Sequence, residues 1–352
     1  MKRLTLLLLL ATGAFAADGP SDFLVGGDIS MLLKYETLGA RYSANGITDD
    51  ALTLMQGQGA NCFRLRLFVN PDDRNAVVQD LAYTVELARR IKHSGAALLL
   101  DIHYSDTWAD PGHQTKPAAW RDLDFDDLTA EVETYTATVI QALKDDDALP
   151  DIVQVGNEIT PGFLWPDGRI QAPQGGWDRF TTLLKAAIRG VQRPLAPGEE
   201  IQVMLHVDCG GDREATAWFF RNILAREVAF DLIGLSYYPW WHGSLADLAA
   251  NVTATAETFG KDLMVVETAY PWRPNSDPAV DPWPRTPAGQ AAFLKDVIGT
   301  MKATPNGRGV GVLWWSPESI PIGGLNVWMG GSNALFDAQG AALPALKVLG
   351  ER

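Results

Sequence analysis

Met264-Val265-Val266-Glu267-Thr268-Ala269-Tyr270-Pro271-Trp272 reads as a buried strand that opens into a loop. Three apolar, partly β-branched residues are followed by a carboxylate and then by Tyr, Pro and Trp. Glu is a poor strand residue and is seldom fully buried without a partner, so its place at a strand end invites a functional reading. Ile152-Val153-Gln154-Val155-Gly156-Asn157-Glu158 repeats the arrangement, again with an apolar run ending in a carboxylate.

Outward from these stretches the chain alternates short apolar runs with helical patterns. Candidate strands are 23–29, 61–69, 96–103, 152–157, 201–207, 232–238, 263–267 and 309–315. Helix-like segments lie near 49–58, 79–93, 126–143, 177–192, 214–226, 245–259 and 287–301, and a last one begins near Ala342. Eight such alternations predict an α/β fold, a single-domain (β/α)₈ barrel. No repeat, low-complexity tract or linker divides the chain, and 352 residues suit one barrel.

Apolar residues make up 47% of the chain and charged residues 20%, enough for a sizeable core. The net charge of -14 and the pI near 4.8 argue against nucleic acid and anionic membranes as partners, because no basic stripe is available to meet phosphate. A neutral ligand and a monomeric enzyme are expected. Met1-Lys2-Arg3, the apolar run Leu4 to Leu10 and Ala14-Phe15-Ala16 describe a signal peptide, with cleavage expected after Ala16 and residues 17–352 as the mature barrel. That predicts a secreted or periplasmic protein with no membrane contact after cleavage. Cys62 and Cys209 are the two cysteines and read as buried free thiols.

In a (β/α)₈ barrel the reacting groups come from the C-terminal ends of strands. Polar or aromatic residues fall there repeatedly: Asp28, Arg66, His103, Asn157, Glu158, His206, Asp208, Tyr238, Glu267 and Trp315. Hydrolysis of a glycosidic bond needs one carboxylic acid to protonate the leaving oxygen and one carboxylate to attack the sugar or activate water. Glu158 and Glu267 fit those two needs, and their separation would decide between retention and inversion. Asn157 could hold a sugar hydroxyl beside the acid. Arg64 and Arg66 share a strand face, and an inward Arg could keep a carboxylate ionised; Arg66, nearer the strand end, is the one expected in the cleft. His103 reads as a hydrogen-bonding group, since no H-x-H or H-E-x-x-H spacing supports catalytic zinc. No metal and no cofactor are expected.

Trp108, Trp120, Trp165, Tyr237, Tyr238, Trp240, Trp241, Tyr270, Trp272, Trp283, Trp314, Trp315 and Trp328 also lie at or beyond strand ends. A flat apolar face with a polar handle suits a pyranose, so about half of these would line an open cleft and the rest would pack loops.

The run Asp101-Ile102-His103-Tyr104-Ser105-Asp106-Thr107-Trp108-Ala109-Asp110-Pro111-Gly112, with Gln114-Thr115-Lys116-Pro117 after it, closely resembles the endo-β-1,4-galactanases of glycoside hydrolase family 53. Val155-Gly156-Asn157-Glu158, Gly234-Leu235-Ser236-Tyr237-Tyr238-Pro239, Trp241-His242-Gly243, Val265 to Pro271 and Asn333 to Asp337 agree with it, so the likeness covers nearly the whole mature chain. It implies a retaining double displacement on β-1,4-galactan or type I arabinogalactan, with Glu158 as acid/base and Glu267 as nucleophile. Arg66, His103, Asp106, Trp108, Asn157, His206, Asp208, Tyr238 and Trp315 are then the substrate-binding candidates. Two stretches depart from the family's usual pattern. Trp315-Ser316-Pro317 stands where Trp-Glu-Pro is usual, and Cys209 follows His206-Val207-Asp208 where Asn is common. In the loop Pro271 to Pro287, Asn275, Asp277 and Asp281 could offer oxygens to calcium, although a solvated acidic loop is the expected reading. A β-mannanase or cellulase would share the barrel and the glutamate pair. An exported sugar-binding protein without catalysis would have had no need to keep both carboxylates.

Overall fold

The computed structural model describes residues 23–171 and 176–351; the signal-peptide expectation for residues 1–16 lies outside them. Eight parallel strands close into a barrel: β1 (Leu24–Asp28), β2 (Cys62–Leu67), β3 (Ala97–Ile102), β4 (Ile152–Val155), β5 (Gln202–Val207), β6 (Leu232–Tyr237), β7 (Asp262–Thr268) and β8 (Gly309–Trp315). Each strand hydrogen-bonds to its sequence neighbours, and β1 closes the ring against β8 and β2. Between and after the strands run α1 (Ala51–Gln56), α2 (Leu81–His93), α3 (Phe125–Asp145), α4 (Trp177–Gln192), α5 (Arg213–Ala225), α6 (Leu245–Phe259), α7 (Pro287–Lys302) and α8 (Pro344–Val348). The eight alternations legible in the sequence are therefore the eight units of the barrel.

Local chemistry starts many of these helices. Asp50, Asp80, Asp124 and Asp212 each accept a hydrogen bond from a first-turn amide, and Ser244 with Asp247 forms a capping box. Two short antiparallel ribbons, Tyr42–Ala44 with Ile47–Asp49 and Gly162–Phe163 with Gly168–Arg169, are not legible as strands in the sequence, being two or three residues long.

Strand residues alternate between the barrel interior and the helix layer. The inward set forms two levels. The lower is apolar: Cys62, Leu99, Ile152, Met204, Leu232, Met264, Val266 and Leu313 pack together, almost wholly removed from water. Gly26 completes this level because a Cβ there would meet the Cys62 carbonyl oxygen at 1.8 Å. Further along the strands the interior becomes polar: Asp28, Arg64, Asp101, Gln154 and His206 lie two residues beyond the lower level and Ser236 four beyond Leu232, all of them buried. Strict alternation would put Thr268 on this level of β7. Instead the β6–β7 register shifts, so that Leu235 faces Val265 but Ser236 faces Glu267. The extra residue is Val266, and the bulge turns Glu267 rather than Thr268 into the barrel. Thr268 donates to the Tyr237 carbonyl oxygen instead.

Cys62 lies inside the barrel and Cys209 in the β5–α5 loop, both buried and free. The loop after β7 departs from the expected solvated form: Asp277 is buried and accepts from Asn275, while the Arg285 guanidinium donates to the carbonyl oxygens of Asn275 and Asp277. Asp281 stays exposed. Asn275 also donates to Ser332, and the Trp272 amide to the Ser332 carbonyl, so this loop is fastened to the one after β8.

Candidate active site

The C-terminal mouth of the barrel opens into a cleft of about 800 Å³ that both glutamates line. Glu267 is only 5% exposed. Its Oε1 lies 2.9 Å from Arg64 Nη1, and its Oε2 accepts from the Tyr238 hydroxyl at 3.2 Å. Glu158 lies beyond β4, after Gly156, in the left-handed region at φ 48°, a conformation that costs a non-glycine residue free energy and gathers at working sites. Its Oε1 accepts from Ser236 Oγ at 2.7 Å.

Arg64 organises the floor. Fully buried, it pairs with Asp28 at 3.0 Å and Asp101 at 2.8 Å as well as with Glu267, and it donates to the side-chain oxygens of Asn157 and Gln154. The sequence favours Arg66 for the cleft. Arg66 does line it, paired with Asp28 at 2.8 Å and lying 4.6 Å from the Trp108 ring and 4.7 Å from Trp315. The guanidinium beside Glu267, however, belongs to Arg64, because a side chain starting one level lower is long enough to reach upward among the carboxylates.

These contacts sort the two carboxyl groups. Asp28, Asp101 and Glu267 surround two arginines, so a further ionised carboxylate in the same mouth would lack a cation. Burial, then the charge of Glu267, pushes Glu158 well above the ordinary carboxylate range. Burial also raises Glu267, to about 7, against the pull of Arg64. Of the pair, the group without a cation at hydrogen-bonding distance among the described residues keeps the proton: Glu158 protonated, Glu267 ionised.

The remaining sequence candidates divide by depth. Trp108, Asn157, Tyr238 and Trp315 line the cleft with Arg66. Asn157 also serves the protein, accepting from Arg64 and donating to the Ala109 carbonyl. His103 does not reach the cleft: it is 1% exposed, accepts from the Ala109 amide and packs edge-on against Trp108. Asp106 accepts from the Ala118 amide and shapes its own loop. His206 is fully buried below Glu158. Asp208 lines a neighbouring cavity with Cys209 and His242, which meets the main cleft at Trp241. Among the aromatics, Trp241 and Trp328 join the lining, whereas Trp120, Tyr237, Tyr270, Trp283 and Trp314 are buried packing.

Ser236 and Gln154 carry no motif that would single them out in the sequence, although both occupy inward positions on their strands. Counting in twos from the lower apolar level is the signal that finds them. Glu318, fully buried in the loop after β8, is equally silent in the sequence; its Oε1 accepts from the Met31 amide, and burial raises its carboxyl to about 8.

A parallel (β/α)₈ barrel carrying two glutamates in an aromatic cleft at its C-terminal mouth is the architecture of a glycoside hydrolase. The chain belongs to glycosyl hydrolase family 53, whose model matches residues 24–349. It is 41% identical to the "Uncharacterized protein in bgaB 5'region" of Niallia circulans over 93% of each chain. It is 35% identical to the arabinogalactan endo-beta-1,4-galactanase of Thermothelomyces thermophilus, covering 92% of this chain and 97% of that one. The GH53 catalytic domain of Ignisphaera aggregans superimposes with a TM-score of 0.88 at 33% identity, covering 94% and 96% of the two chains.

Proposed function

We propose that this glycoside hydrolase is an endo-β-1,4-galactanase that cuts internal bonds of β-1,4-galactan and type I arabinogalactan with retention of anomeric configuration. The observation that carries the reading is the asymmetry of the two glutamates: Glu267 lies 2.9 Å from the Arg64 guanidinium, while among the described residues Glu158 has a hydroxyl and no cation as its partner. The galactanase name of the Thermothelomyces relative supports the substrate class.

In the first half of the reaction Glu267 attacks the anomeric carbon as Glu158 gives its proton to the departing galactosyl oxygen. Arg64 and the Tyr238 hydroxyl keep the Glu267 carboxylate ionised and aimed. In the second half Glu158 takes a proton from water, whose oxygen displaces Glu267 from the sugar. Trp108, Tyr238, Trp241, Trp315 and Trp328 offer rings to sugar faces along the open cleft, with Arg66 and Asn157 among the polar groups for hydroxyls. Asp208 would serve only a chain extending past Trp241, and His103, Asp106 and His206 would act through the residues they hold. Export as a monomer completes the reading, with residues 1–16 removed and 17–352 forming the barrel.

The test is product release from linear β-1,4-galactan by the wild type beside folded Glu158→Ala and Glu267→Ala variants, with the anomer of the first product read by NMR. Short oligosaccharides of retained configuration from the wild type, and losses of several orders of magnitude in both variants, are expected. Release from mannan or cellulose but not galactan would sink the substrate assignment and leave the barrel chemistry standing.

A further inference from the structure

The Ser236 hydroxyl is fully buried between two partners: Glu158 Oε1 at 2.7 Å and His206 Nε2 at 2.9 Å. It has one proton, so its direction depends on what His206 presents, and that depends on the other ring nitrogen. Around His206 Nδ1 lie two donors, Gln154 Nε2 at 3.0 Å and the Glu158 amide at 3.4 Å, and one acceptor, Asn157 Oδ1 at 3.0 Å.

Both lone pairs of that acceptor are already engaged, since Arg64 Nη2 donates to Asn157 Oδ1 at 2.8 Å and Gln154 Nε2 donates to it at 3.2 Å. Nor can the Gln154 amide turn round: its oxygen accepts from Arg64 Nε and its nitrogen donates to Asp101. Nδ1 therefore carries the lone pair and the ring proton sits on Nε2. Burial and the Arg64 charge hold His206 well below its ordinary value, which keeps the ring neutral with that single proton. Nε2–H donates to Ser236, and the Ser236 proton is left with Glu158 as its acceptor.

We propose that Ser236, aimed by His206, is a positioning residue that fixes Glu158 Oε1 as an acceptor and so confines the transferable proton to Oε2. This rests on the reading of Glu158 as acid/base. The Oε2 proton passes to the glycosidic oxygen as its bond to the anomeric carbon breaks and the bond to Glu267 forms. A water proton returns to Oε2 as the water oxygen bonds to that carbon and the Glu267 ester breaks. The Ser236 proton does not move in either half.

A donor on Oε1 favours the ionised form of Glu158, so losing it makes the carboxyl harder to deprotonate. The other groups acting on Glu158 are Glu267, Asp208 and Arg64, with Tyr238 facing both glutamates; His206 also feels Asp101, His103 and His242. A Ser236→Ala variant leaves all of these in place.

Two measurements test the inference. In the wild type, nitrogen-15 NMR of labelled histidine should find the His206 proton on Nε2; a proton on Nδ1 overturns the argument whether or not any variant folds. In the kcat/KM profile on galactan, Ser236→Ala should move the alkaline limb up by about one pH unit, and Ser236→Thr, which restores the hydroxyl, should bring it back. A folded Ser236→Ala enzyme that is slower at every pH with its limb unmoved shows a structural role only and overturns the proposal. If Glu158→Ala retains activity, it is the assignment of Glu158 itself that fails, and the histidine spectrum remains to be read separately.

Discussion

At the residue scale the site is a problem of balancing charge in a place water reaches poorly. Arg64 has three carboxylates around it and Arg66 shares one of them, while the two glutamates, close enough to act on each other, titrate as a pair. In the proposed mechanism the active form has Glu267 ionised as nucleophile and Glu158 protonated as acid. Below the Glu267 value of about 7 the nucleophile is capped, and above the raised Glu158 value the acid is spent. We expect kcat/KM on galactan to climb towards pH 7 and to fall again only in alkali; an acid limb near pH 4 would contradict the burial argument. Tyr238→Phe removes the hydroxyl on Glu267 Oε2 and keeps the ring, and should lower kcat about 10–100-fold with little change in Tm. Glu318 carries a separate prediction. Its carboxyl is raised from 4.5 to about 8, so between these values the unfolded chain ionises while the folded one stays protonated, and stability drains away as pH rises. A tenfold change in proton affinity on folding is worth ~1.4 kcal/mol, so Glu318→Gln, which keeps an oxygen for the Met31 amide, should raise Tm at pH 8 and leave it nearly unchanged at pH 4.

At the scale of elements, the strands are legible because an interior that is apolar and then polar writes itself along most of them with a period of two. Cys62 and Arg64, Leu99 and Asp101, and Met204 and His206 are such successive inward pairs. The site is legible to the same depth: strand-end glutamates can be named, but not which arginine meets which carboxylate. That choice depends on the Val266 bulge and on the reach of a guanidinium, neither of which leaves a local signal. His103 and His206 look like ligands for substrate because a polar residue at a strand end reads the same whether it faces the cleft or lies beneath it. The loop after β7 misleads for a similar reason. Asn275 and Asp277 suggest a wet acidic turn until Arg285, eight residues beyond Asp277, is seen to take their carbonyl oxygens. That guanidinium fills the place a cation would otherwise have, so Arg285→Ala should lower Tm by several degrees as the carbonyls lose their donor. A chelator added to the wild type should leave Tm where it was. A fall on chelation alone would mean that a metal, and not Arg285, fastens the loop.

Over the whole molecule, acidic charge and aromatic cleft point to the same kind of substrate. A chain of net charge -14 would repel an acidic polymer, whereas the proposed substrate, galactan, carries no charge to be repelled. Recognition then falls to rings and hydroxyl-bonding groups, so KM on linear galactan should be flat with ionic strength. Trp241 stands where the main cleft meets the cavity that holds Asp208: it lines both and is 61% exposed. A ring that exposed contributes little to folding, and on the proposed function it is free to stack on a distant sugar. Losing one stacked aromatic face is worth about 1 kcal/mol, so Trp241→Ala should raise KM on polymeric galactan about 3–10-fold. It should leave kcat and the rate on a short aryl galactoside unchanged, because neither Glu158 nor Glu267 touches it. Were kcat to fall on the short substrate as well, Trp241 would be supporting the reacting groups through Tyr238, whose ring lies 5.3 Å from its own, and the cleft would end sooner than its aromatics suggest.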